Sequence, residues 1–158
     1  MILSTHAIVG ATVAQFFPDQ PALAFGMAVA SHYLVDLIPH REYSVNFFEK
    51  VQFGKHEVST INFKNWHLSD TLKVALDLAF GLGVAGFLFW YSTWPILILG
   101  ILGGILPDTI RFFKPLRRAE IMHEKVHYHK KWSTNVESIF IFFPEVLLDL
   151  AIILTFWR

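Results

Sequence analysis

Residues 72–91 have the sequence LKVALDLAFGLGVAGFLFWY, and this stretch is the strongest indicator of the fold. Only two of its residues are charged, Lys73 and Asp77. A helix needs about 20 mainly apolar residues to cross the hydrocarbon core of a lipid bilayer. The stretch therefore predicts a transmembrane helix.

Four further apolar stretches accompany it: residues 2–17, 21–38, 95–106 and 139–157. The last has the length of a full span, the first two are marginal, and residues 95–106 are short. Long apolar runs with little alternation favour helices over strands. Residues 41–66 are mixed and aromatic, which is typical of an interfacial loop or short amphipathic helices. The sequence predicts an all-α polytopic membrane bundle of four to five transmembrane helices, forming one domain over residues 1–158.

The composition excludes several classes of protein. Hydrophobic residues make up 54% of the chain and charged residues 16%, which is too apolar for an intrinsically disordered protein. Thirteen Lys and Arg residues balance thirteen Asp and Glu residues, so the basic surplus of a general nucleic-acid binder is missing. The chain contains no cysteine, which excludes disulfides and thiolate metal sites.

The positive charges predict an orientation in the membrane. With five helices, the short loops at residues 18–20 and 92–94 lie on one side, and the long loops at residues 39–69 and 108–138 lie on the other. Twelve of the thirteen Lys and Arg residues fall on the long-loop side, counting Lys73 just inside the third predicted helix. By the positive-inside rule this side is cytoplasmic. We therefore expect a multi-pass protein of the cell (inner) membrane with a cytoplasmic N-terminus, surrounded by membrane lipid.

Ionisable residues gather at the cytoplasmic ends of these predicted helices. They are costly inside a membrane unless they are paired, hydrated or bound to a metal, so they indicate a functional site. His32 and Asp36 are four residues apart and share one helix face. The candidate metal ligands are His6, His32, Asp36, His40, Asp70, Asp77, Asp108, His123 and His127.

Imidazole and carboxylate ligands without thiolates suit zinc, with manganese or iron as alternatives. A divalent metal at such a site lowers the pKa of a bound water and supplies hydroxide as a nucleophile. A nearby carboxylate can hold or deprotonate that water. This chemistry predicts a metal-dependent hydrolytic site that opens on the cytoplasmic face.

Three short motifs carry a resemblance to a known family: Thr5-His6-x-x-x-Gly10, Ser31-His32-x-x-x-Asp36-x-x-Pro39-His40 and Gly104-x-x-Pro107-Asp108. They look like motifs of the predicted membrane-bound metal-dependent hydrolases and, more distantly, of the helical zinc-dependent phospholipases C. The resemblance implies a helical membrane protein that hydrolyses phosphoesters, with a phospholipid as a candidate substrate. It carries the metal site over to His6, His32, Asp36 and Asp108, with Asp36 and Asp108 as catalytic carboxylates.

Two alternatives remain open from the sequence. His123-Glu124-Lys125-Val126-His127 matches H-E-x-x-H, in which two histidines on one helix face bind zinc and the glutamate is the general base of a metalloprotease. Glu137 or Glu145 would then supply a third ligand. The other alternative is a non-catalytic membrane protein, which is either a metal or proton carrier or a scaffold that uses the same residues for helix packing.

Overall fold

A computed structural model describes residues 3–38, 45–53, 56–110 and 135–156. Helices dominate these ranges, as the sequence predicts. The five α-helices within these ranges are α1 Leu3–Ala14, α2 Pro21–Asp36, α3 Leu68–Leu88, α4 Trp94–Thr109 and α5 Asn135–Phe156. Proline at the first turns of α2 and α4 suits these starts, because the first amide groups of a helix have no partner within it.

A β-hairpin and a short 3₁₀ helix connect α2 and α3. Strands β1 (Phe48–Phe53) and β2 (His56–Ile61) pair antiparallel with Val51 opposite Val58, and the 3₁₀ helix covers Phe63–Asn65. The expectation of a loop or amphipathic helices over residues 41–66 is therefore wrong for the strand residues. Valine, isoleucine and threonine fit strands well because their branched side chains pack on a pleated surface.

Helix α1 forms the centre of the bundle and contacts each of the other four helices. Ala7, Ile8, Ala11 and Ala14 have no exposed surface. A helix that is apolar around its whole circumference is one that neighbours enclose on every side. The sequence of α1, LSTHAIVGATVA, is mostly apolar after its polar first turn, with small residues that let its neighbours approach.

Glycines allow the backbones of α1 and α4 to touch. A Cβ atom on Gly10 would lie 2.8 Å from the Cα of Gly104, and one on Gly104 would collide with the carbonyl oxygen of His6. Gly103 faces α2 in the same way, where a Cβ atom would lie 2.8 Å from the Cβ of Ala28. Close packing through small residues is common between helices in membranes. It brings the backbone of α4 directly against the start of α1.

Among the described residues, α3 is the one helix that is long and apolar enough to cross a membrane. Shorter apolar helices are present at Leu3–Ala14, Trp94–Thr109 and Val146–Phe156. At 1.5 Å per residue the 12 residues of α1 extend only about 18 Å, against a hydrocarbon core of about 30 Å. The structure thus shows a helical protein with one candidate span, and a polytopic arrangement remains a prediction.

Helix α3 extends well beyond the start of α1. Ser4 lies against Gly81, where a Cβ atom would be 2.6 Å from the Cα of Ser4. Gly81 is thirteen residues beyond Leu68, the first residue of α3. The N-terminal end of α1 is therefore level with the second half of α3, and the earlier turns of α3 project past it.

Candidate metal centre

Three consecutive polar residues open α1, and each faces a carboxylate on a different helix. Ser4 Oγ donates to Asp77 Oδ1 of α3 at 2.6 Å, and its backbone nitrogen donates to Asp77 Oδ2 at 3.2 Å. Thr5 Oγ1 donates to Asp149 Oδ2 of α5 at 3.0 Å. Successive residues of an α-helix point about 100° apart, so three neighbours can reach three helices. The next residue, His6, turns towards α2 and α4.

His6 meets His32 and Asp36 in the interior of the bundle. His6 Nε2 lies 3.2 Å from Asp36 Oδ1, and His32 Nε2 lies 3.0 Å from Asp36 Oδ2. The two imidazole rings stack with their centroids 3.9 Å apart. All three side chains are fully buried. Each of the three offers a ligand atom, and these atoms lie within 4.8 Å of one another.

A backbone carbonyl sets the orientation of His32. Its Nδ1 atom lies 2.7 Å from the carbonyl oxygen of Gly104. Because a carbonyl oxygen can only accept a hydrogen bond, Nδ1 is the donor in this contact. In a neutral imidazole Nε2 then carries the lone pair, and this is the arrangement that second-shell partners impose on metal-binding histidines. In that neutral form the Nε2 lone pair points at the carboxylate of Asp36.

The contacts around Asp36 are consistent with a bound cation. A nitrogen lone pair 3.0 Å from a carboxylate oxygen is repulsive unless a proton or a metal ion lies between them. His6 is buried, and its Nδ1 atom has no hydrogen-bond partner among the described residues. Zinc ligands at 2.0–2.1 Å in a tetrahedron are about 3.3 Å apart, and the two histidine–carboxylate contacts are 3.0 and 3.2 Å, within a group of ligand atoms that spans up to 4.8 Å. Two imidazoles and a carboxylate also form a typical zinc donor set, so the residues fit a divalent metal.

Asp108 lies at the edge of this group. It is near the C-terminal end of α4, four residues after Gly104, and its Oδ2 atom is 3.9 Å from His6 Nε2. Its side chain is 16% exposed, whereas those of His6 and Asp36 are fully buried. Asp108 is thus the carboxylate of the cluster that contacts solvent.

The structure separates two of the candidate ligands from this group. Asp70 accepts hydrogen bonds from the backbone and side-chain nitrogens of Asn46 at 2.8 and 3.0 Å, and from Lys73 Nζ at 3.2 Å. Asp77 is bound to Ser4. Both carboxylates therefore join segments of the fold, and neither belongs to the His6, His32 and Asp36 cluster.

Three other candidate ligands, His40, His123 and His127, lie outside the described residues. The same is true of Glu124 and of the side chains of Glu137 and Glu145. The metalloprotease alternative therefore stays a prediction from the sequence.

Sequence reasoning missed three groups that support the site. The carbonyl of Gly104 carries no signal, since every residue has one. Ser4 and Thr5 suggest N-cap residues, yet both are completely buried and bind carboxylates of other helices. Asp77 and Asp149 were the sequence signal for these contacts. A carboxylate in an apolar helix needs a hydrogen-bond donor from another helix, and Ser4 and Thr5 supply such donors.

Comparisons of the chain with protein families, with curated proteins and with solved structures find no match. The resemblance to membrane-bound metal-dependent hydrolases therefore rests on its three motifs. In the structure those motifs supply His6, His32 and Asp36, which form the cluster, and Asp108 beside it.

Proposed function

We propose that the protein is a membrane-embedded metal-dependent hydrolase that acts on phosphoesters, with phospholipids as the favoured substrates. The observation that carries this proposal is the buried cluster of His6, His32 and Asp36, whose nitrogen and oxygen atoms face one another at 3.0 and 3.2 Å. Such a group is expensive in an apolar bundle unless a cation neutralises it. The resemblance described above supports phosphoester hydrolysis.

The metal would be held by three residues from two helices. His6 and His32 would each bind through Nε2, and Asp36 would bind through its carboxylate. Gly104 would keep His32 in the tautomer whose Nε2 carries the lone pair that binds a metal. Zinc suits this donor set best, with manganese or iron as alternatives.

Asp108 would perform the proton transfer. A bound divalent cation would polarise the phosphoryl oxygen and make a water molecule acidic enough to supply hydroxide near neutral pH. Asp108 would accept the proton from that water while the hydroxide oxygen attacks phosphorus. The same carboxyl group would return the proton to the leaving alcohol as the P–O bond breaks. Its partial exposure and its place beside His6 suit it to this role.

The surroundings of the cluster support a lipid substrate at the cytoplasmic side of the membrane. Leu34 and Leu37 lie at the C-terminal end of α2, next to Asp36, and their side chains are 66% and 57% exposed. In a multi-pass bundle these side chains would face acyl chains. Asp108 would lie at the opening, on the side where the charge asymmetry predicts the cytoplasm.

A hydrolysis assay with two matched carboxylate variants tests the proposal. The purified protein is loaded with zinc and given soluble phosphate mono- and diesters and a short-chain phospholipid in micelles. We expect Asp108→Asn to retain its metal but lose about 100-fold or more of the rate. Asp19→Asn is the control, because Asp19 is an exposed carboxylate outside the cluster, and it should keep full activity.

The complete burial of His6, His32 and Asp36 favours one second candidate, a structural metal site in a non-catalytic scaffold. Structural zinc sites are closed, whereas catalytic sites keep a position open for water. Stoichiometric metal in a wild-type protein that hydrolyses none of these substrates would support the scaffold and contradict the hydrolase. An equal loss of rate in both aspartate variants would contradict the role of Asp108.

A further inference from the structure

Three aromatic rings form a stack immediately before α3. The rings of Phe47 and Trp66 lie 5.4 Å apart, and those of Trp66 and Phe63 lie 5.6 Å apart, both nearly parallel. Phe47 is the buried end of the stack at 5% exposure, whereas Phe63 is 70% and Trp66 46% exposed. The stack thus presents two large aromatic side chains at the surface.

Hydrogen bonds hold this stack in a fixed position on α3. The backbone nitrogen of Asn62 donates to the carbonyl oxygen of Phe47 at 2.8 Å, and the Asn62 side chain caps the 3₁₀ helix through the nitrogen of Lys64 at 3.0 Å. Asn46 donates twice to Asp70 in the first turn of α3. The exposed rings are therefore part of an ordered element joined to the start of the helix.

The surface around the exposed rings continues along α3. Leu68, Leu72 and Leu76 are 72%, 51% and 68% exposed, and their spacing of four residues places them on one helix face. Lys64, beside the rings, is exposed. Aromatic rings and a lysine at the end of an apolar span are typical of the lipid headgroup region. There the apolar part of each side chain contacts lipid and its polar part contacts water.

We propose that Phe63, Lys64, Trp66 and Leu68 form an interfacial anchor that binds the boundary between headgroups and acyl chains of a lipid bilayer. The anchor also fixes the depth of the metal centre. Ser4, two residues from His6, lies against Gly81, about 20 Å along α3 from Leu68. The cluster then lies about 20 Å from the anchor along the direction of α3, with Asp108 as its partly exposed carboxylate. This inference rests on the membrane part of the proposed function but not on hydrolysis.

Depth-dependent quenching of tryptophan fluorescence tests the anchor. One chain keeps Trp66 and has the other four tryptophans replaced by phenylalanine. The matched control has all five replaced and carries Phe80→Trp, at an exposed position about 18 Å along α3 from Leu68. Both are reconstituted in phosphatidylcholine vesicles whose lipids carry a nitroxide either near the glycerol backbone or near the methyl end of the acyl chain. Metal content and circular dichroism verify that each chain is folded.

The anchor predicts opposite responses in the two chains. Trp66 should be quenched more strongly by the shallow label, and the Phe80→Trp chain more strongly by the deep label. Weak quenching of Trp66 by both labels, with deep quenching in the Phe80→Trp chain, would overturn the anchor but leave α3 as a span. No quenching in either chain would overturn the anchor and the membrane part of the proposed function together. Neither result would alter the outcome of the hydrolysis assay in micelles.

Discussion

The imidazole of His32 donates a hydrogen bond from Nδ1 to the carbonyl oxygen of Gly104 at 2.7 Å, and this contact joins α2 to α4 beside the metal cluster. His32 is one turn before Asp36, and Gly104 is one turn before Asp108. This hydrogen bond therefore holds together the ends of α2 and α4 that carry Asp36 and Asp108. It also determines which nitrogen of His32 is available to a metal.

Gly104→Ala should disrupt both packing and metal binding. The added methyl group would collide with the backbone carbonyl of His6, and backbone at the centre of a bundle cannot move aside easily. Overpacking of this kind typically costs about 1–3 kcal/mol. We expect a lower thermal midpoint in detergent and a loss of bound zinc.

Gly83→Ala is the matched control for that variant. A Cβ atom on Gly83 would meet no atom within 4 Å in the described part of the chain. Alanine is also the better helix former. The control should keep its metal and its thermal midpoint, and equal behaviour of the two variants would contradict the packing of α1 against α4.

Removal of the metal should destabilise the wild-type protein. A ligand that binds the folded state alone stabilises it by about 2.7 kcal/mol at a free concentration 100 times its Kd. A chelator should therefore lower the thermal midpoint, and added zinc should restore it. In Asp36→Ala the midpoint should no longer respond to zinc. A zinc response of normal size in that variant would place the metal elsewhere in the chain.

The contact between Ser4 and Asp77 should behave as a coupled structural pair. Asp77 accepts both the hydroxyl and the backbone nitrogen of Ser4, so Asp77→Ala leaves two donors near the centre of the bundle without an acceptor. A donor left in this way costs about 1–3 kcal/mol, more than the roughly 1 kcal/mol of an ordinary hydrogen bond. A double-mutant cycle with Ser4→Ala, measured as unfolding free energies, should show a coupling above about 0.5 kcal/mol. Additive effects would mean that the contact does not form.

The predicted orientation can be tested with single cysteines, since the natural chain has none. Gln20→Cys and Ser92→Cys lie on the short loops, and Lys64→Cys lies on the long-loop side with the N-terminus. In intact cells a membrane-impermeant maleimide should label the first two variants, and it should label the third only after permeabilisation. Labelling of all three in intact cells would contradict the multi-pass arrangement.

Particular residues show which parts of the structure were predictable. The helices follow from long apolar runs, and His6, His32 and Asp36 could be singled out because ionisable groups are rare in such runs. The contacts of Asp70 and Asp77 could not be deduced in the same way. Whether a carboxylate reaches a metal or a hydroxyl depends on how far each helix slides along its neighbour.

Two further features depend on tertiary structure. The hairpin was missed because its strands, FEKVQF and HEVSTI, are short and only partly alternating. The offset between α1 and α3 could not be predicted, because the close contact of Ser4 with Gly81 sets it. Sequence spacing within one helix carries no information about that offset.

The metal content of the purified protein tests the central claim most directly. After equilibration with zinc and removal of the excess, the wild type should hold about one ion per chain. His32→Ala should hold almost none, whereas the exposed control His67→Ala should match the wild type. Near-zero metal in the wild type, or full retention in His32→Ala, would contradict a metal centre at His6, His32 and Asp36. Retention in His32→Ala together with loss in His123→Ala would place the metal at the H-E-x-x-H motif instead.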